Sequence, residues 1–221
     1  MKFSKNDKGL PPIDYMALRR LESRLANCQG CALSHTRTNP VLMRSNRLEQ
    51  GGILLIGEAP GRNEDEVGVP FIGRAGQRLN KILYKHQDVP YQIANAVCCR
   101  PPKNRTPDEF EVETCLFHLR LLISILQPRI LICLGRVAAF SLFALFHSQA
   151  KFQGDSIKLI GPISVTRSEV NAIQMNDKVI RHWLRTWHPS FVMKPWNKDK
   201  FGPYFDEDIN IAFDYWRRWY G

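Results

Sequence analysis

Short apolar runs alternate along the chain with longer stretches in which apolar residues recur at helical spacing. GILLIG (52–57), YQIANAVCC (91–99) and RILICLG (129–135) read as strands covered on both faces, because each is apolar without alternation. VIRHWLRTWHPS ends a last strand at His188. Between them, Ile13 to Asn27 places Ile13, Met16, Arg20, Leu21 and Leu25 near one helical stripe, with Leu18 off it. Arg74 to His86 carries Ala75, Leu79, Ile82 and Leu83 on one face. A longer helix begins where Thr106 can cap, Pro107 suits the first turn and Glu109 completes a capping box. Its stripe is Val112, Cys115, Leu116, Leu119, Ile123 and Leu126, and Pro128 stops it. RVAAFSLFALFH and DEDINIAFDYWRRWY are two further helices.

Apolar strands alternating with helices predict an α/β protein, a three-layer α/β/α sandwich around a central, mostly parallel sheet. The 221 residues suit one domain spanning the whole chain, with an N-terminal helix and cysteine loop over 11–45. Periodicity is weak over 148–177, where IKLIGPISV reads as a strand pair or an insertion. In such sheets ligands bind beyond the carboxyl ends of the strands. That rule selects Glu58 after the first strand, Asn95 in the second and His188 at the end of the last.

Charge narrows the partners. Lys and Arg number 31 against 21 Asp and Glu, a formal net charge of +10 that favours a polyanion such as nucleic acid, although a solvated basic surface has the same composition. No apolar stretch approaches the roughly 20 residues of a membrane span, and MKFSKNDKGLPP lacks the apolar core of a secretory signal. A cytoplasmic, nucleoid-associated monomer is the expectation.

In such a compartment six cysteines are metal ligands or core residues before they are disulfides. Cys28 and Cys31 form a CxxC in a loop, Cys99 ends a strand and Cys115 lies in the next helix, a set able to hold an iron-sulfur cluster or zinc. Adjacent strand residues face opposite ways, so one of Cys98 and Cys99 ligates, and the prolines after Cys99 favour it. Cys133 reads as core.

The loop GEAPGRNEDEVGVPFIG (57–73) is neither a Walker sequence nor GxGxxG, so nucleotide-phosphate chemistry is not indicated. Its RNEDE reads as a solvated turn rather than a catalytic group. Phe71 is either a ring that stacks on a planar ligand or a core phenylalanine. Asn95 either pairs with backbone or reads the donor and acceptor edge of a pyrimidine. His188 is a turn residue or a donor to a developing anion.

Together, GEAPGRNEDEVGVPFIGRAGQRL, ANAVCCRPPKNRTP and TWHPS resemble the three signature regions of the family-four uracil-DNA glycosylases, the iron-sulfur branch of their superfamily. CQGCALSHTRTNPV resembles that family's cysteine segment, and the likeness runs with gaps from Leu21 to Met193. The resemblance implies a DNA-repair glycosylase that flips uracil from DNA and hydrolyses its N-glycosidic bond. It implies a 4Fe-4S cluster on Cys28, Cys31, Cys99 and Cys115, with Glu58 placing water and His188 stabilising the departing uracil anion. Phe71 would stack on the base, Asn95 would read its edge, and Gly57 and Gly61 would shape the pocket. SFVMK after His188 offers a wedge for the vacated stack, with Val192 or Met193 at its tip, though local packing rivals that reading. The alternative is a DNA-binding replication or repair scaffold of the same fold that holds a protein partner.

Overall fold

A computed structural model describes residues 12–146, 171–174 and 180–221. Six strands form one sheet: β1 (Met43–Ser45), β2 (Ile53–Gly57), β3 (Tyr91–Asn95), β4 (Ile130–Leu134), β5 (Asn171–Gln174) and β6 (Ile180–Thr186), in the order β1-β3-β2-β4-β6-β5. The four inner strands are mutually parallel and the two edge strands antiparallel. This is the mostly parallel sheet that the apolar runs predict.

Side chains alternate across β2 and β4 and fill two cores. Leu54, Ile56, Leu131 and Cys133 meet helices α1 (Tyr15–Ala26), α4 (Glu109–Leu126) and α5 (Arg136–Phe146) on one face. Ile53, Leu55, Ile130 and Ile132 meet α3 (Arg74–Leu83) and the C-terminal helix α7 (Pro195–Tyr220) on the other. Two short helices, α2 (Arg62–Val67) and α6 (Pro189–Val192), lie in the loops after β2 and β6. Because α3 precedes β3 on one side of β2 and α4 precedes β4 on the other, the sheet order switches direction at β2. The crevice at such a switch point is where an open α/β sheet takes a ligand.

Several boundaries differ from the sequence expectation, each for a local reason. Asp14 caps α1 through a 2.9 Å bond from Ala17 N, and Leu18, Leu21 and Leu25 are its buried stripe, so Leu18 is on the stripe and the exposed Met16 off it. The second strand stops at Asn95: Val97 N still reaches Glu58 O, but Val41 N takes Cys98 O and turns the chain toward the cysteines. The capping box of α4 is Asp108 with Glu111, two residues later than expected, which leaves Pro107 and Thr106 outside the helix. The last strand ends at Thr186, whose hydroxyl donates to the buried Asp208 of α7. The final helix starts at Pro195, well before residue 206, and carries Pro203 within it. Most of 148–177, including IKLIGPISV, lies outside the described residues; within that span 171–174 form β5.

Candidate active site

The carboxyl ends of β2, β3, β4 and β6 converge on one crevice. Gly57 closes β2 and pairs in register with Asn95, the last residue of β3. A Cβ on Gly57 would lie 2.4 Å from Phe71 Cζ and 2.5 Å from Asn95 Oδ1, so the missing side chain is what lets ring and amide sit against the strand end. Phe71 is held there with φ of 57°, a left-handed conformation costly for a bulky residue. Gly76 of α3 explains how that conformation is imposed. A Cβ on Gly76 would fall 1.8 Å from Phe71 O, so the helix packs directly onto the Phe71 backbone. Nothing in the sequence marks Gly76, because a glycine inside a helical pattern signals only weakened propensity.

Asn95 is 3% exposed, and its Oδ1 has no hydrogen-bond partner among the described residues. A buried, unpaired amide oxygen costs about 1–3 kcal/mol unless a ligand supplies the donor. The His188 ring lies 6.2 Å from that of Phe71. His188 caps α6: its Nδ1 accepts from Ser190 N at 3.2 Å and touches Ser190 Oγ at 2.7 Å. With Nδ1 serving as acceptor, the neutral ring carries its proton on Nε2. Burial lowers the His188 pKa to about 4, which keeps the ring neutral near pH 7. Gly135, at φ 92° after β4, makes room for it, since a Cβ there would stand 3.1 Å from His188 Cβ.

Glu58 follows Gly57 directly. Burial raises its pKa, opposed by a hydrogen bond from the Thr106 side chain and by the charge of Arg136. Thr106, expected to cap α4, instead serves this carboxylate. The remaining loop residues play different parts from those expected. RNEDE is helix α2 rather than a solvated turn: Glu64 Oε1 accepts from Gly73 N at 2.7 Å and Asp65 Oδ1 from Thr38 N at 2.9 Å, both carboxylates buried. Gly61 caps α2, where a Cβ would press on Glu64 Oε2 at 2.8 Å, so it shapes the turn around Glu64. Val192 is 1% exposed in the core beneath α7 and cannot project as a wedge, whereas Met193 beside it is 37% exposed.

The cysteines gather on the opposite side of the Asn95 turn. Cys98, Cys99 and Cys115 are buried in the core formed with α1 and α4, and the half-buried Cys28 and Cys31 pack against it. Cys98 hydrogen-bonds Cys115, raising the Cys98 pKa and lowering that of Cys115. Arg37 Nη1 donates to Cys99 Sγ at 3.2 Å, and His118 Nε2 lies 3.4 Å from Cys28 Sγ. As these side chains stand, no three His, Cys, Asp or Glu among the described residues close into a metal-holding group. The donor set nevertheless fits an iron-sulfur cluster: thiols from the CxxC loop, the turn after β3 and α4 share one neighbourhood, with the Arg37 guanidinium donating to one sulfur and the His118 ring nitrogen within hydrogen-bond distance of another.

A family model described as the Uracil DNA glycosylase superfamily matches residues 47–211, from before β2 into α7. The chain belongs to this superfamily. Within it, the protein is similar to a type-4 uracil-DNA glycosylase of Pyrobaculum aerophilum, 42% identical over 63% of this chain and 71% of the relative. It is also similar to the type-4 enzyme of Thermotoga maritima, 34% identical over 79% of this chain and 82% of that protein. The Archaeoglobus fulgidus type-4 enzyme is 41% identical over 55% and 61%.

Proposed function

We propose that this protein is a DNA-repair hydrolase that excises uracil from DNA, leaving an abasic site. The observation that carries the reading is the orphaned Oδ1 of Asn95, buried against the Phe71 ring in a slot that exists because Gly57 has no side chain. Uracil is planar and carries an N3–H donor flanked by carbonyl acceptors. Its N3–H would satisfy Oδ1, the Asn95 amide N–H would meet a carbonyl, and the Phe71 ring would cover the base.

A duplex base is out of reach of such a slot, so the deoxyuridine is flipped, at a cost of a few kcal/mol that contacts to the strand must offset. The basic surface supplies those contacts without reading sequence. As the glycosidic bond breaks, negative charge grows on uracil and positive charge on the sugar. His188, neutral and protonated on Nε2, donates to the departing uracil without surrendering a proton it needs to regain. Glu58, hydrogen-bonded by Thr106 and near the charge of Arg136, both of which favour its carboxylate against burial, would orient the attacking water and face the sugar cation. Cys28, Cys31, Cys99 and Cys115 would hold the 4Fe-4S cluster, which when bound would tie the CxxC loop to the turn after β3 and to α4. Arg37 and His118 would donate to its thiolates. A DNA substrate would place the protein's work in the cytoplasm, at the nucleoid. Among the described residues no helix is long and apolar enough to cross a membrane.

Release of free uracil from a uracil-containing oligonucleotide tests the reading. Asn95→Ala should abolish release and leave DNA binding nearly intact. Undiminished excision by that variant would move the pocket elsewhere, and DNA binding without excision by the unaltered protein would favour the scaffold alternative.

A further inference from the structure

The segment after His188 is rigidly mounted, and its outward side is aromatic and basic. Val192 N donates to His188 O at 3.3 Å and Lys194 N to Phe191 O at 3.3 Å. Asn197, itself buried, donates Nδ2 to Phe191 O at 3.0 Å and its backbone N–H to Lys194 O at 2.8 Å. Beneath, Trp187 stacks on Phe191 at 4.7 Å between centroids, and Phe201 packs against both rings. On this mount Trp196 is 73% exposed, the most exposed tryptophan of the chain, beside the exposed Met193. Lys194 Nζ stands 5.8 Å from the Trp196 ring centroid, and Lys198 and Lys200 are exposed nearby against the single acid Asp199.

An indole with one lysine ammonium 5.8 Å from its ring and two more exposed lysines on the following turn is a poor seat for an apolar protein surface, since burying it would strip charge of water. It suits a π face that carries its own anion, which is a nucleotide. The position relative to His188 adds to this. When a base leaves the stack for the pocket, its neighbour on the strand loses a stacking partner, and the hydrogen-bonded mount carries Trp196 eight positions along the chain from the pocket histidine.

We propose that Trp196 is a stacking platform for the unpaired base next to the flipped deoxyuridine, with Lys194 and Lys198 taking the phosphates of that strand. This rests on the uracil-excision reading for the identity of the neighbouring nucleotide. It places the contact on an exposed ring at the start of α7, outside the base pocket.

The test is binding of the full chain to a single-stranded oligonucleotide that carries 2-aminopurine next to a tetrahydrofuran abasic site. Stacking on Trp196 changes 2-aminopurine fluorescence on binding. Trp196→Ala should lose that change and weaken affinity roughly 5- to 150-fold, Trp196→Phe should retain most of both, and Lys194→Gln should reduce the salt dependence while keeping the fluorescence change. Unaltered affinity and fluorescence in Trp196→Ala would overturn the proposal whether or not uracil is released. Weakened binding with loss of the fluorescence change, in a protein that releases no uracil, would uphold the platform and sink only the excision reading.

Discussion

At the scale of single residues, the site depends on side chains that are absent as much as on those present. Gly57 lets Phe71 and Asn95 approach the end of β2, Gly76 lets α3 press on the Phe71 backbone, and Gly135 leaves space for His188. Gly57→Ala would drive a methyl to 2.4 Å from the Phe71 ring. Displacing that ring by about 1 Å is expected to slow excision on the order of 10²-fold, while overpacking costs about 1–3 kcal/mol of stability. Single-turnover release and a melting curve measure the two, and full excision by the alanine variant would show that the slot is not the base pocket. Asn95 and His188 were legible in the sequence because a lone amide in an apolar strand and a histidine before proline are chemically conspicuous. Gly76 was not, since a glycine inside a helical pattern signals only weakened propensity, and Gly135 was not, since the His188 it accommodates comes from a distant segment. Val192 was misjudged because the sequence shows an apolar residue near the pocket but not that α6 turns it inward.

At the scale of elements, the stretch from Cys99 to α4 shows how a shift of two residues changes function. Thr106-Pro107 followed by Glu109 satisfies the capping pattern, yet Asp108 and Glu111 satisfy it too, and a sequence motif alone cannot choose between overlapping boxes. The fold chooses Asp108, with Glu111 also pairing to Arg105 at 2.6 Å, and Thr106 is released to hydrogen-bond Glu58. The two threads separate experimentally. Asp108→Ala should cost about 1 kcal/mol of stability and leave the pH profile of excision in place. Thr106→Val removes an interaction that lowers the Glu58 pKa while burial continues to raise it, so the acidic limb of the rate profile should move to higher pH. An unshifted limb would mean that Glu58 does not act as the ionised group. The strands themselves were readable throughout, because both faces of β2 and β4 are covered and their apolar runs are unbroken. The reach of α7 back to Pro195 was hidden by Pro203 and by the polar residues of its first turns.

For the whole molecule, burial of neutral imidazoles ties stability to pH. His188 is lowered to about 4, and burial also lowers His86 and His182. His86 lies among Arg217, Asp214 and Asp88, His182 hydrogen-bonds Tyr215 and Tyr220, and His188 faces Phe71 and Ser190. In the unfolded chain a histidine titrates near pH 6.5, so between that pH and the depressed folded values the unfolded state binds more protons. The stabilisation is complete above roughly pH 6.5 and declines as pH falls toward 4. The Asp88 carboxyl, lowered to about 2 chiefly by hydrogen bonds from Arg217, adds a second loss as pH falls from 3.8 toward 2. Melting temperature should therefore drop between pH 7 and 5, and a flat profile there would contradict the burial of these rings as neutral groups.

Release of free uracil reports on the chemistry of the crevice at β2 without an intermediate assumption. A uracil-containing oligonucleotide, beside an undamaged control, is incubated with the unaltered protein and with His188→Ala, and free base is measured in a single turnover. Release is expected from the uracil strand alone, with a loss of roughly 10²–10³-fold in rate without His188, as for removal of one donor to a developing anion. Equal release by both proteins would mean that the departing base does not lean on His188, and that the chemistry lies outside this crevice.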